Sequence, residues 1–155
     1  MTEFLGVARP LARALVARGY DALTPVQQSV SSPDLQGVDL LGSAQTGSGK
    51  TVAFGIATAL TLLNGAERFG PADTPLALVI APTRELALQV RHELEWLYAD
   101  AGAVITSCVG GMDIRTERRA LERGAHIVVG TPGRLRDHIS QRAMDCRKLA
   151  AVVLD

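Results

Sequence analysis

A glycine-rich segment carries the clearest chemistry in this sequence, because Ala44 to Thr51 reads AQTGSGKT directly after an apolar run. Glycines let the backbone wrap closely, so that successive N–H groups point at phosphate oxygens, and a helix amino end adds positive charge. In this pattern Lys50 would reach the β- and γ-phosphates, and the Thr51 hydroxyl would bind Mg²⁺. We therefore predict a site for a nucleotide and its magnesium ion that comprises Ala44, Gln45, Thr46, Gly47, Ser48, Gly49, Lys50 and Thr51.

The lysine content of the chain and the residue at position 44 narrow the class of nucleotide-binding protein that this segment indicates. Lys50 is one of two lysines beside 14 arginines, which indicates that an ammonium group is needed there. Ala44 stands where the strict pattern has a glycine, which disfavours a small-molecule kinase more than a nucleotide-driven motor. The alternative is a glycine-rich turn that binds no ligand.

Three later segments could each approach an anion. The first is Pro82, Thr83 and Arg84, the second is Gly110 and Gly111, and the third is Thr131, Pro132, Gly133 and Arg134. Two of them place a threonine, a proline and an arginine at a helix start, where free N–H groups face outward. Taken singly, each is equally explained by ordinary helix capping. Together, they could hold successive phosphates of one nucleic-acid strand without reading its bases.

An upstream segment, Gly19 to Gln27, could read a base. A glutamine amide offers a donor and an acceptor side by side, which matches the N6 amine and N7 of adenine but not guanine. Tyr20 could stack on that base, and Thr24 with Pro25 forms a helix start. The alternative for Gln27 is an ordinary polar residue on a helix.

The elements that must position these residues alternate between helix and strand. Apolar runs predict strands at 39–43, 76–81, 103–109, 126–129 and 150–154, and periodic segments predict helices at 9–18, 49–63, 84–99, 114–123 and 133–141. Strands that are apolar throughout, separated by helices, predict an α/β fold with a mostly parallel sheet covered on both faces. The loops that follow the strands would then share one edge, whereas 64–75 would be a connector on the other edge.

Composition bounds the class of protein. The 155 residues, 47% of them hydrophobic, suit one domain, with residues 1–38 as N-terminal helices and 39–155 as the nucleotide-binding core. The 16 basic and 16 acidic residues cancel, although residues 113–148 hold nine basic against five acidic side chains. Two cysteines without metal spacing, and the lack of a signal peptide or membrane span, predict a cytoplasmic protein with no membrane partner.

In combination these segments resemble the DEAD-box RNA helicase family, in particular its first RecA-like domain, over essentially the whole chain. Gly19 to Gln27 resembles the Q motif, and AQTGSGKT with alanine first resembles motif I. PTRELA at 82–87, the pair Gly110-Gly111, TPGR at 131–134 and VVLD at 152–155 resemble motif Ia, the GG motif, motif Ib and the start of motif II. Six motifs in this order are very specific.

The resemblance implies ATP and Mg²⁺ as cofactors and RNA as a partner that is bound through its backbone, independently of sequence. It implies that Tyr20 and Gln27 hold adenine, that Thr24 belongs to the same binding segment, and that Asp155 orients Mg²⁺ through water. The loops named above, from Pro82 to Arg134, would lie on the RNA. One departure from the family pattern is Leu23, which stands where the Q motif usually has proline.

The resemblance also implies that the complete helicase is larger than this chain. The catalytic glutamate that follows Asp155 in the family, the Ser-Ala-Thr motif and the second RecA-like domain with its arginine finger are not in the 155 residues. We therefore expect a monomeric fragment that binds adenine nucleotide but neither hydrolyses ATP appreciably nor unwinds RNA. The alternatives are a nucleotide-binding module without motor function, a DNA translocase, and a P-loop kinase.

Overall fold

The computed structural model describes residues 4–35, 37–42 and 49–155. The helices are α1 (Arg9–Ala17), α2 (Pro25–Val30), α3 (Lys50–Leu63), α4 (Arg84–Leu97), α5 (Ile114–Arg123) and α6 (Pro132–Ser140). The strands are β1 (Ala77–Ile80), β2 (Ile105–Cys108), β3 (Ile127–Gly130) and β4 (Ala151–Leu154). Two short 3₁₀ turns, Pro33–Leu35 and Ala99–Ala101, complete the described elements.

The four strands form one parallel sheet in the order β2-β3-β1-β4. Val79 in β1 is paired with Val129 in β3 on one side and with Val153 in β4 on the other. Every strand therefore ends at the same edge, and the loops that follow the strands lie side by side. The prediction of an α/β fold with a parallel sheet is confirmed.

Each face of the sheet is covered by its own group of helices. Alternate residues of β3 divide between the two cores, with Ile127 and Val129 on one face and Val128 on the other. The larger core packs α1, α3 and α4 against the sheet, and the smaller contains Leu121 of α5 and Leu135 of α6. Burial of each such aliphatic side chain contributes about 1.5–3 kcal/mol, so both layers hold the sheet edge in place.

A close contact fixes α3, the helix that begins at Lys50. Tyr98, just after α4, is fully buried and donates its hydroxyl to the Gly55 carbonyl at 2.6 Å. The Thr58 hydroxyl lies 3.0 Å from the same Tyr98 oxygen. Gly55 is needed at this crossing, because an added Cβ would lie 2.6 Å from a methyl group of Leu97. The packing therefore sets the position of Lys50 relative to the sheet.

One predicted strand is wrong over its described part. Residues 39–42 adopt no strand, and residue 43 lies outside the described residues. Leu40 and Leu41 are both exposed. A strand in a parallel sheet must pair with a neighbouring strand. Residues 39–42 do not pair in this way, because among the described strands β4, at the end of the sheet, is paired only with β1. Asp39 and Gly42, at the ends of the described segment, are also residue types that strands disfavour.

The predicted helices lie within one or two residues of the observed ones, and α5 matches its predicted range. Residues 64–75 connect α3 to β1 at the edge opposite the strand ends, as predicted. Among the described helices, none has both the length and the apolar character that crossing a membrane requires.

Candidate nucleotide site and nucleic-acid interface

Lys50 and Asp155 meet at the carboxyl edge of the sheet. Lys50 is the first residue of α3, and Asp155 follows β4, where its N–H continues the ladder to the Ile80 carbonyl at 2.9 Å. The Nζ of Lys50 lies 2.7 Å from Oδ1 of Asp155. The Asp155 side chain is 4% exposed whereas that of Lys50 is 47% exposed, so a buried carboxylate is paired with a side chain that is partly open to solvent. The structure thus brings together two predicted site residues that are far apart in the sequence.

Gln27 joins the predicted base-binding segment to the glycine-rich segment. Its Oε1 accepts the Thr24 N–H at 3.0 Å, and its Nε2 donates to the Gly49 carbonyl at 3.2 Å. The side chain is fully buried. A primary amide has two N–H groups and two acceptor lone pairs, so one of each is left without a partner among the described residues. Gln27 therefore holds the start of α3, and its remaining N–H and lone pair are themselves buried.

Local sequence explains why Gln27 is fixed so firmly. Thr24 is the N-cap of α2 and Pro25 its first residue, and Gln27 at the third position completes a reciprocal capping box. Gly49 has a left-handed φ of 81°, and a side chain there would collide with Gln27 Nε2. Glycine is thus required at residue 49 both by conformation and by space.

Of the remaining residues of the glycine-rich segment, the structure describes only Thr51. Thr51 is the second residue of α3 and is partly buried. Ala44, Gln45, Thr46, Gly47 and Ser48 lie outside the described residues.

Tyr20 makes its ring contact with α4. Its ring centroid lies 6.1 Å from that of Trp96, with the planes tilted by 35°. The Arg18 guanidinium covers the Trp96 ring at 4.9 Å. Burial raises the pKa of the Tyr20 phenol above its ordinary value. The aromatic neighbour of Tyr20 is therefore a protein side chain, and its predicted contact with a base stays a prediction.

The three predicted anion-binding loops follow β1, β2 and β3 and are largely exposed. Exposed residues are Pro82, Thr83, Arg84, Gly110, Gly111, Pro132 and Gly133, whereas Thr131 and Arg134 are partly buried. Thr83 is the N-cap of α4 and accepts the Leu86 N–H at 3.2 Å. Thr131 is the N-cap of α6, but among the described residues its hydroxyl makes no capping hydrogen bond. Ordinary capping thus explains Thr83 but not the hydroxyl of Thr131.

Arg84 and Gly111 bring two of these loops into contact. Gly111 has a left-handed φ of 85°, and an added Cβ would lie 2.5 Å from Nη1 of Arg84. The long arginine side chain therefore passes directly over the glycine backbone. The loops after β1 and β2 meet at this point although β3 lies between their strands.

A buried polar cluster beneath the loops was not predicted from the sequence. Glu117 of α5 is 4% exposed and accepts the Val109 N–H at 2.8 Å. Its other oxygen lies 2.8 Å from Nε2 of His138 and 3.3 Å from Nη1 of Arg134. The sequence does contain a pattern that indicates this burial, because Ile114, Glu117 and Leu121 repeat at helical spacing and place Glu117 on the buried face of α5.

The sheet order divides the edge into two ends. Lys50 and Asp155 lie beside β4, at one end, whereas the loops after β3 and β2 lie at the other. The loop with Arg84 follows β1, between them. This arrangement can hold a compact polyanion at the β4 end and an extended one across the remaining loops.

Comparison with known proteins agrees with this geometry. The family model for the DEAD/DEAH box helicases matches residues 24–155. The chain is 41% identical over 152 residues to the DEAD-box ATP-dependent RNA helicase 9 of Oryza sativa subsp. japonica, covering 97% of this chain and 24% of that protein. It is 43% identical over 146 residues to the DEAD-box ATP-dependent RNA helicase CshA of Bacillus licheniformis, covering 94% and 28%.

Solved structures of helicases share the fold. The RNA helicase Prp28 from Chaetomium thermophilum bound to ADP has a TM-score of 0.84 at 38% identity, over 99% of this chain and 37% of that one. The yeast DEAD-box splicing factor Prp28 has a TM-score of 0.87 at 30% identity, over 100% and 38%. The chain spans about a quarter of the length of the curated relatives it matches. On these matches, the chain belongs to the DEAD/DEAH box helicase family.

Proposed function

We propose that this chain is the adenine-nucleotide-binding part of an ATP-dependent RNA helicase. The observation that carries the proposal is the joint placement of Gln27, Gly49, Lys50 and Asp155, because one contact chain runs from a base-reading amide to a phosphate-reading ammonium. The relatives are RNA helicases by name, and one related structure is described as bound to ADP.

Gln27 is the residue that would recognise adenine. Because the Gln27 side chain is fully buried in the structure, nucleotide binding would first have to expose its amide. The remaining N–H would then donate to N7, and the remaining lone pair would accept from the N6 amine. Guanine has an acceptor where adenine has that amine, so Gln27 would reject it. Since Gln27 also holds the Gly49 carbonyl, base and phosphate would be bound on one fixed frame.

Phosphate binding requires Lys50 to change partner. In the structure its ammonium neutralises the Asp155 carboxylate at 2.7 Å. An incoming triphosphate would attract Lys50, and Asp155 would then need another positive charge. Its carboxylate and the Thr51 hydroxyl are hard oxygen donors of the type that Mg²⁺ prefers, so these two residues fit the ion. When bound, Mg²⁺ would neutralise charge on the phosphates. Lys50 and Thr51 would orient the phosphates, and Asp155 would hold the water that bridges to the ion.

The loops with Arg84, Gly111 and Arg134 would bind the RNA backbone. Arginine forks suit phosphate oxygens, and bare glycine backbone permits close approach. We include Pro82, Thr83, Gly110, Thr131, Pro132 and Gly133 in the same surface. Binding of this type tolerates any sequence and weakens steeply with salt.

Hydrolysis and unwinding are proposed for the complete protein, since this chain spans about a quarter of the length of its helicase relatives. We further propose that residues 1–38 and 39–155 form one domain, because Leu11 and Leu15 of α1 lie in the larger core with Ile56 of α3. The two free thiols, Cys108 and Cys146, support a cytoplasmic location, and we propose a monomer.

The experiment is ATP hydrolysis by the complete protein that carries this chain, with RNA or DNA oligonucleotides added. Stimulation by RNA but not by DNA supports the proposal. Equal stimulation by both would favour a DNA translocase, and no stimulation by either would favour a nucleotide-binding module. The 155-residue chain alone is expected to show little hydrolysis with or without RNA.

A further inference from the structure

One buried carboxylate connects two loops of the proposed RNA surface. Glu117 accepts the N–H of Val109, the residue that precedes Gly110-Gly111, at 2.8 Å. The same carboxylate lies 3.3 Å from Nη1 of Arg134, in the loop after β3. Glu117 thus contacts both loops from below, on a side chain that is only 4% exposed.

The backbone beneath these loops leaves little freedom. Cys108 at the end of β2 is paired with Gly130 at the end of β3, and the Thr131 N–H donates to the Cys108 carbonyl at 3.1 Å. An added Cβ on Gly130 would lie 2.5 Å from that carbonyl oxygen. The two strand ends are thus fixed relative to each other, and the Glu117 carboxylate contacts both Val109 and Arg134 directly above them.

A metal site is the competing explanation of this cluster. Cys108, Glu117 and His138 each place a ligand atom within 4.8 Å of the others, and all three are buried. However, Arg134 already supplies the positive charge beside Glu117. Burial, with the nearby charge of Glu117, raises the pKa of the Cys108 thiol to about 12, so the thiol is neutral at physiological pH. Both oxygens of Glu117 also have hydrogen-bond partners. The cluster is therefore better explained as a hydrogen-bond network.

His138 completes the support of the carboxylate. Its ring is fully buried, and Nε2 lies 2.8 Å from Oε1 of Glu117. Within the described part of the chain, Nδ1 has no hydrogen-bond partner. The ring is therefore held by Glu117, and in return it fixes the rotamer of the carboxylate from the α6 side.

We propose that Glu117 is a positioning residue that prearranges the RNA-backbone surface by holding Val109 and Arg134 at the same time. Arg134 has five N–H donors in a rigid fork, so one nitrogen can stay on Glu117 while the others reach a phosphate. Fixing that fork before RNA arrives lowers the ordering cost of binding. This inference rests on the proposed RNA function of the same loops.

The test compares two variants with the same change of charge. Glu117→Gln and Glu122→Gln lie on the same helix, and each removes one negative charge, but Glu122 is exposed. Affinity of the complete protein that carries this chain for a single-stranded uridine 12-mer RNA is measured by fluorescence anisotropy at several salt concentrations. Affinity for ADP is measured in parallel to report on the nucleotide site.

Removal of a negative charge should strengthen RNA binding unless a positioning contact is lost. We expect Glu122→Gln to bind RNA as tightly as wild type or slightly tighter, and Glu117→Gln to bind about tenfold more weakly. ADP affinity should stay within about twofold in both variants, since neither residue touches the nucleotide site.

Two results would overturn the inference and leave the proposed function intact. One is RNA affinity of Glu117→Gln equal to that of Glu122→Gln while Arg134→Ala still weakens binding. The other is RNA affinity of Arg134→Lys equal to wild type, because lysine keeps the charge but cannot hold Glu117 and a phosphate in one fork; this variant also serves if Glu117→Gln does not fold. Undetectable RNA binding by wild type, or an Arg134→Ala variant that binds normally, would instead contradict the proposed RNA surface.

Discussion

The ammonium of Lys50 lies 2.7 Å from the carboxylate of Asp155, so the two groups that are proposed to hold phosphate and magnesium neutralise each other. The pair joins the first residue of α3 to the residue that follows β4. Since Asp155 is buried and Lys50 is half exposed, the carboxylate depends on the ammonium more than the reverse. Binding of a nucleotide would then be an exchange of partners between prearranged charges.

Removal of the ammonium should affect both stability and binding. In Lys50→Met the Asp155 carboxylate stays buried without its partner, and we expect a loss of about 1–2 kcal/mol in the free energy of unfolding. Affinity for ATP should fall by about 100-fold or more, because the positive charge that would face the β- and γ-phosphates is lost. Urea denaturation and calorimetry measure the two effects.

Lys148→Met is the matched control, as the only other lysine in the chain. Its ion pair with Asp73 is exposed on both sides, so its loss should change stability by less than about 0.5 kcal/mol. Equal effects of the two substitutions would contradict the role given to the Lys50–Asp155 pair.

Gly111 should be intolerant of a side chain. In Gly111→Ala the left-handed backbone should cost about 1–2 kcal/mol of folding free energy, whereas the exposed Arg84 side chain can move aside. Gly110→Ala is the control, since an added Cβ there meets no atom of the described part of the chain within 4 Å. Thermal denaturation of the two variants should separate them. A Gly111→Ala protein as stable as Gly110→Ala would contradict the left-handed conformation of residue 111.

Alkaline pH should destabilise the chain through its buried thiol. Burial raises the pKa of Cys108 from 9.0 to about 12, so the folded state keeps a proton that the unfolded chain loses. This contribution to stability is fully present below about pH 9 and is lost as pH rises toward 12, by up to about 1.4 kcal/mol per pH unit. Burial also raises the pKa of Tyr98, which adds to the effect.

The variant Cys108→Ala should lose part of that pH dependence. Denaturant midpoints measured from pH 7 to 10.5 should fall less steeply in Cys108→Ala than in wild type. Cys146→Ala is the comparison, because Cys146 is only partly buried. Parallel pH profiles for wild type and Cys108→Ala would contradict the assignment.

The order of helices and strands was predictable because periodicity and turn residues state it directly. Thr24 and Pro25 predicted the start of α2, and the structure adds the reciprocal capping contact of Gln27. The segment at 39–42 was mispredicted because an apolar run shows that a strand is possible but not that a neighbour exists. Pairing is a tertiary property, and local sequence does not contain it.

The chemistry of single positions was predictable where a motif names it, and less so where burial decides it. Lys50 and Asp155 were assigned to one site, and the structure brings them together. Glu117 was overlooked, since a glutamate on a charged helix such as α5 ordinarily faces water. Only the packing of α5 against β2 and α6 shows that its carboxylate is buried between two loops.

Gln27 is the residue on which the account of nucleotide selection depends, and Gln28 provides its control. Both lie on α2, but Gln27 is buried against Gly49 whereas Gln28 is exposed. Gln27→Ala would remove both the proposed base contact and the support of Gly49, so we expect adenine-nucleotide affinity to fall by about tenfold or more. Gln28→Ala should bind as wild type does.

Calorimetry with ATP, ADP, AMP and GTP on wild type, Gln27→Ala and Gln28→Ala is the most direct test. We expect wild type to bind ATP and ADP in preference to GTP, and Gln27→Ala to lose both the affinity and the preference while Gln28→Ala keeps them. GTP binding by wild type as tight as ATP binding, or an unchanged preference in Gln27→Ala, would contradict the assignment of this chain as an adenine-nucleotide site read by Gln27.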